Sequence, residues 1–163
     1  MATERREEVA VKDVMEKYLA TRDNLLDILH ELQGAEPRHY LSQEALRAVA
    51  EHLRMPLSEV MDAASFYSMY SFVPRGRHIL RLCVSPPCRL FGGEVLLEAL
   101  KKRLGVEVGE TTPDGAFTLE TSSCLGACGN APAMMIDGTL YGNLTEAKAA
   151  EVINRVRRGD AAR

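Results

Sequence analysis

The apolar residues of this chain change period once, and the change falls at Pro74 to Gly76. Before it they recur at three- and four-residue steps, the spacing of amphipathic helices. After it they come in short continuous or alternating runs, the spacing of strands. From Glu7 to about Gln33, Val11, Val14, Met15, Tyr18 and Leu19, then Leu25, Leu26, Ile28, Leu29 and Leu32, predict one or two helices ended at Gly34. "AEPRHY" reads as a loop. Ser42 is placed to cap a helix carrying Ala45, Leu46, Val49, Ala50 and Leu53. Pro56 suits the first turn of another helix, "PLSEVMDAASFYSMY". Residues 1–73 are therefore expected to be all-helical, and residues 74–163 to form a second domain of mixed character.

In that second half "HILRLCV" reads as a buried strand and "GEVLLEALKKRLG" as a helix stopped at Gly105. "FTLETSS" alternates like a half-buried strand. Asp137-Gly138 between the apolar arms of "AMMIDGTLYG" signals a tight hairpin. Thr145 can cap a last helix, closed by Gly159. The order β-α-β-β-α makes a βαβ unit completed by a hairpin and a helix, so the expected fold class is α+β with a small mixed sheet.

Two strands of this sheet run straight into the chain's four cysteines. Cys83 and Cys88, in "CVSPPC", follow the first; Cys124 and Cys128, in "CLGAC", follow the second. Loops leaving neighbouring strands can lie side by side at one edge of a sheet. Two close pairs of thiolates suit the two irons of a 2Fe–2S cluster, and Cys-x4-Cys occurs in one known ferredoxin spacing. Zinc also accepts four cysteines in two pairs, although structural knuckles usually use Cys-x2-Cys. A thioredoxin-type dithiol needs Cys-x2-Cys as well. Four unrelated thiols, Cys83 among them as an ordinary buried strand residue, are the remaining reading. Gly126 and Gly129 bracket the last cysteine, and glycine lets backbone amides approach a sulfur closely. Leu90, Phe91, Leu125 and Met134 are candidates for a dry shell around such a group. The histidines at 30, 39, 52 and 78 are scattered, and none pairs with a cysteine as a Rieske centre requires.

Composition removes several other classes. Hydrophobic residues at 46% and charged ones at 26% let 163 residues bury a core without disulfide staples. A net charge of −3 with no basic, aromatic-interleaved stripe offers nothing to nucleic acid. "MATERREEVAVKDVM" carries charges where a leader or a membrane span needs an apolar run, so a cytoplasmic, reducing compartment is expected, with no membrane insertion. There, clustered cysteines mean metal or redox chemistry more often than structural disulfides.

"CVSPPCRLFGG", "TTPDGAFTLETSSCLGACGNAPAMMID" and the upstream "DAASFYSMYSFVPRGRHILRLC" resemble the thioredoxin-like 2Fe–2S subunit of NADH dehydrogenase-type complexes. That family includes the small NADH-module subunit of complex I and relatives in NAD-linked or electron-bifurcating hydrogenases and formate dehydrogenases. The resemblance runs from about Leu25 to Val156. It implies an N-terminal helical bundle (1–73) that serves in docking, followed by a thioredoxin-like ferredoxin domain (74–163). It also implies one 2Fe–2S cluster on Cys83, Cys88, Cys124 and Cys128. The implied partner is a flavoprotein subunit that carries FMN, binds NAD(H) and holds its own iron–sulfur cluster, within a larger redox complex on the cytoplasmic side of any membrane involved. Neither "LFGGEV" nor "CLGACGN" has the G-x-G-x-x-G pattern, so no NAD or flavin site is expected on this chain, and its expected role is that of a non-catalytic electron carrier. A zinc-stabilised interaction module and a stand-alone ferredoxin shuttle are the competing readings. One departure from the family is Pro86-Pro87, where members commonly carry small or polar residues; it bears on the cluster's potential rather than on ligation.

Overall fold

The computed structural model describes residues 11–161. The chain divides into two compact units, Met1–Pro74 and Arg75–Arg163. Among the described residues no helix is long and apolar enough to cross a membrane.

The first unit is helical. A segment over 11–15 (α1) is followed by a short 3-10 turn at Arg22–Asn24, then α2 (Leu25–Ala35), α3 (Gln43–Leu53) and α4 (Leu57–Phe66). Any helix before residue 11, back to Glu7, lies outside the described residues. Most of the faces read from the sequence form one core, with Val14, Ile28, Leu29, Leu32, Leu46, Val49, Leu53 and Val60 buried within it. Leu19 and Leu26, read as part of the same faces, are exposed instead, Leu19 because it lies in the turn after α1. Ser42 caps α3 by accepting a hydrogen bond from the Ala45 amide at 3.1 Å, a contact worth about 1 kcal/mol.

Three helix ends differ from expectation, each for a local reason. Gly34 does not stop α2, which continues through Ala35. Glu36 ends it, held extended at ψ 121° because Pro37 follows. Pro56 stands at the N-cap of α4 rather than inside its first turn. That helix stops at Phe66 instead of running on through Tyr70, because the next residues are recruited by α2. The Tyr70 hydroxyl donates to the Leu26 carbonyl at 2.9 Å. The buried Gln33 amide donates to the Met69 carbonyl at 2.9 Å and accepts from the Ser71 amide at 2.8 Å. The segment leaves an apolar patch facing water, with Phe66 80% and Val73 66% exposed, beside the partly exposed Tyr67, Met69 and Phe72.

The second unit is a four-stranded mixed sheet in the order β2-β1-β3-β4, with β1 (His78–Cys83), β2 (Phe117–Ser122), β3 (Met134–Ile136) and β4 (Thr139–Tyr141). β1 and β2 are parallel, from His78 beside Phe117 to Cys83 beside Ser122. The crossover between them contains α5 (Pro86–Leu90) and α6 (Gly93–Leu104). β3 is antiparallel to both β1 and β4. Asp137 and Gly138, with φ of 48° and 83°, make the turn between β3 and β4, the left-handed pair that a two-residue hairpin demands. α7 (Glu146–Ala161) runs past Gly159 rather than stopping there, since Asp160 is held by Arg77 and by His78. Leu80, Leu82, Leu96, Leu100, Phe117, Leu119, Met134 and Ile153 fill the core between sheet and helices. β1 lies between two strands, which is why its sequence reads as a nearly continuous apolar run.

Candidate metal centre

Because β1 and β2 are parallel neighbours in register, both chains leave the sheet at the same end. Cys83 is the last residue of β1, opposite Ser122, the last of β2. The two exits are tied together, for the Val84 amide donates to the Ser122 carbonyl at 2.9 Å. A third segment joins them: the Cys83 amide donates to the Ala133 carbonyl at 3.0 Å.

The stretch after Cys83, expected as a loop, coils into α5 with Pro86 and Pro87 in its first turn. Proline suits that position, since its ring presets φ and the amide it lacks would have had no helical partner. The coil turns Cys88 inward until it is 1% exposed, while Cys83 is 2% exposed. Ala133 completes this small apolar nest, with Leu125, Ala127 and Ala131 packed against it. The second pair is different. Cys124 and Cys128 are both exposed, and all four thiols are free. The Gly126 amide, at φ 72°, donates to Cys124 Sγ at 3.3 Å, a turn that a residue with a Cβ rarely adopts. Cys128 opens a one-turn 3-10 helix ending at Asn130. The Asn143 amide in turn holds the Asn130 carbonyl at 2.6 Å.

Electrostatic interactions link the sulfurs within each pair, and Cys83 with Cys128. Burial opposes ionisation of Cys83, but hydrogen bonds from Ser85, from Cys88 and from the Leu125 backbone outweigh it and bring the thiol down to about 7. Burial and the neighbouring Cys83 push Cys88 up. Cys128 is pushed up chiefly by the charge of Cys124, then by its own desolvation, with Cys83 adding to the effect. Thiolates crowded in this way repel one another, and bound cations relieve the repulsion. The sulfurs gather as two pairs. Among the described residues no three His, Cys, Asp or Glu side chains are grouped around a single metal ion. A soft, paired, thiolate-only donor set fits a two-iron cluster.

Three of the four shell candidates do not serve. Leu90 is 84% and Phe91 67% exposed, because α5 carries them onto its outer side. Met134 is fully buried but belongs to the main core, and only Leu125 packs against the thiol nest. Two features escaped the sequence reading. The Ser85 hydroxyl lies 3.2 Å from Cys83 Sγ, and a serine ahead of two prolines was its only trace. At the opposite end of β1, His78 is clasped between Asp137 and Asp160, at 2.5 and 2.9 Å; these residues are 59 and 82 positions away, beyond the reach of any local motif.

Comparison with known proteins agrees with this geometry. A family model described as thioredoxin-like 2Fe-2S ferredoxin matches residues 11–157. A component of the NADH-quinone oxidoreductase of Mycobacterium tuberculosis is 36% identical over 150 residues, covering 92% of this chain but 59% of the relative. The chain thus spans about six-tenths of that relative's length. The corresponding NADH-quinone oxidoreductase component from Aquifex aeolicus is 37% identical over 134 residues, 82% of each chain. The HndA component of the NADP-reducing hydrogenase of Solidesulfovibrio fructosivorans is 32% identical over 130 residues, 80% of this chain and 75% of the relative. A solved NAD+-reducing NiFe-hydrogenase in the air-oxidized state shares the fold, with a TM-score of 0.75 and 23% identity over 86% of this chain and 24% of that one. The chain belongs to the thioredoxin-like 2Fe-2S ferredoxin family, and a 2Fe–2S cluster is its cofactor.

Proposed function

We propose that this chain is an electron-transfer subunit carrying one 2Fe–2S cluster on Cys83, Cys88, Cys124 and Cys128. The proposal further holds that it exchanges single electrons with an FMN-containing, NAD(H)-binding partner inside a larger oxidoreductase. The observation that carries the reading is that two parallel strands in register each lead, at the same end of the sheet, into a pair of thiols, one pair buried and the other exposed. The cluster supplies one-electron redox chemistry. The protein's part is to hold its irons on preplaced sulfurs. Cys83 and Cys88 would hold the group from the buried side, and the exposed Cys124 and Cys128 would lie where a partner could approach. Hydride chemistry is two-electron chemistry and belongs to the flavin and nicotinamide of the partner.

The relatives named above are parts of NADH-quinone oxidoreductase and of an NADP-reducing hydrogenase, and both names couple a nicotinamide to another redox couple. By that analogy this chain works as a component of such a complex. The exposed patch around Phe66 and Val73 supports a docking role for residues 1–73, which a freely diffusing shuttle would not need. Zinc in place of iron would leave the purified protein colourless.

Single Cys→Ser variants at 83, 88, 124 and 128 test the ligand set. A hard hydroxyl replaces a soft thiolate, so each is expected to lose iron or to change the electron paramagnetic resonance signal of the reduced protein. The wild type should contain iron and acid-labile sulfide in equal amounts, with little zinc. Four variants with native signals would refute the assignment.

A further inference from the structure

Ser85 occupies the N-cap of α5 yet caps nothing, for its side chain makes no bond to an amide of that helix. A capping hydroxyl ordinarily accepts from the second or third amide of its helix, and here Pro86 and Pro87 take the first two positions. The hydroxyl lies instead 3.2 Å from Cys83 Sγ, on a residue only 7% exposed. In the free thiol either atom can donate. A sulfur bound to iron has no proton, so the hydroxyl is then the donor. Its burial also excludes the water that would compete for that bond.

We propose that Ser85 donates a hydrogen bond to Cys83 Sγ in the cluster-loaded protein and so raises the reduction potential. It would stand in for an amide donor that the prolines lack. This rests on the reading of Cys83 as a ligand. The physical ground is charge: one added electron makes the cluster and its sulfurs more negative, and a donor aimed at a sulfur stabilises that state more than the oxidised one. No proton moves, since the hydroxyl keeps its hydrogen in both states.

Valine and threonine have nearly the same shape and differ in the hydroxyl, so Ser85→Val against Ser85→Thr isolates the bond. Both are made in the full chain, assayed for iron and sulfide, and titrated with redox mediators while electron paramagnetic resonance follows the reduced cluster. Ser85→Val is expected to shift the redox equilibrium about tenfold toward the oxidised form, ~59 mV lower for one electron, with Ser85→Thr close to wild type. Unchanged potentials in both fully loaded variants would overturn the proposal, as would equal shifts in both. If Ser85→Val and Ser85→Ala fail to hold iron while Ser85→Thr holds it, the hydroxyl is needed for assembly and the tuning role falls. A native signal in Cys83→Ser would overturn both this proposal and the ligand reading. A lost signal there, with Ser85→Val at the wild-type potential, would overturn this one alone.

Discussion

Gly93→Ala asks for one added methyl group beside the buried Cys88. Gly93 opens α6, and a Cβ built on it would lie 2.7 Å from the Cys88 carbonyl oxygen and 3.0 Å from its carbon, where ordinary contact begins at 3.4 Å. The shortfall is about 0.7 Å, and both obstructing atoms are backbone, so no side chain can rotate aside. Cys88 itself is 1% exposed, with no slack around it. Alanine favours a helix over glycine by up to about 1 kcal/mol, while overpacking of this kind costs about 1–3 kcal/mol, so the steric term wins. The larger consequence concerns metal binding, because ligand distances tolerate only about ±0.2 Å. The variant is expected to fold, with lowered stability, and to hold less than its full iron and sulfide or to show altered resonance values when reduced. Gly34→Ala is the matched control. It sits in α2 with nothing within 4 Å of the new Cβ, and should gain up to about 0.5–1 kcal/mol with an unchanged spectrum. Full cluster content and a native signal in Gly93→Ala would refute the claim that the Cys88 backbone is fixed by this contact.

His78 makes stability depend on pH. Burial disfavours its charge, but hydrogen bonds to Asp137 and Asp160 prevail and raise its pKa above 6.5. Its stabilisation is then complete below the unfolded value and is lost as pH rises through the higher folded one. Thermal unfolding should accordingly show the wild type's advantage over His78→Gln shrinking as pH rises from about 6 to about 8.5, across and above the ordinary histidine range, and a constant difference would refute this. Pro87→Ala restores an amide in the first turn of α5. If that amide reaches a sulfur with a bond of ~0.5–1.5 kcal/mol, the potential rises by roughly 20–65 mV, and no shift at full loading would mean the position faces away. Phe66→Ser and Val73→Ser, on the exposed patch of the first unit, should weaken co-purification with the proposed flavoprotein partner and leave the cluster signal intact. An undiminished complex would count against a docking role.

The parts legible in the sequence were those carried by local period and spacing. The three-and-four pattern over Val11 to Met15, Leu25 to Leu32 and Ala45 to Leu53 needed only one buried face to become helices, while Tyr18 and Leu19, in the same pattern, fall in a turn. The run in β1 needed only a sheet with helices on it, whereas β2, read as alternating, buries Phe117, Thr118 and Leu119 in succession. Asp137-Gly138 needed nothing beyond its own backbone preference. The cysteine pairs were likewise plain, because each follows its strand directly and parallel neighbours must exit at the same end. Tertiary structure decided what depends on distant groups. It buried Cys83 and Cys88 and left Cys124 and Cys128 exposed, since the direction in which α5 turns is set by packing against Ala133, far along the chain from Cys88. It put Leu90 and Phe91 in water, although their apolar character alone had suggested a shell. It ended α4 early because Tyr70 and Ser71 bond to α2, and it carried α7 past Gly159 because Arg77 and His78 hold Asp160. It also aimed the Ser85 hydroxyl at a sulfur. A side chain's direction follows from which partners surround it, and partners dozens of residues away leave no trace in local spacing.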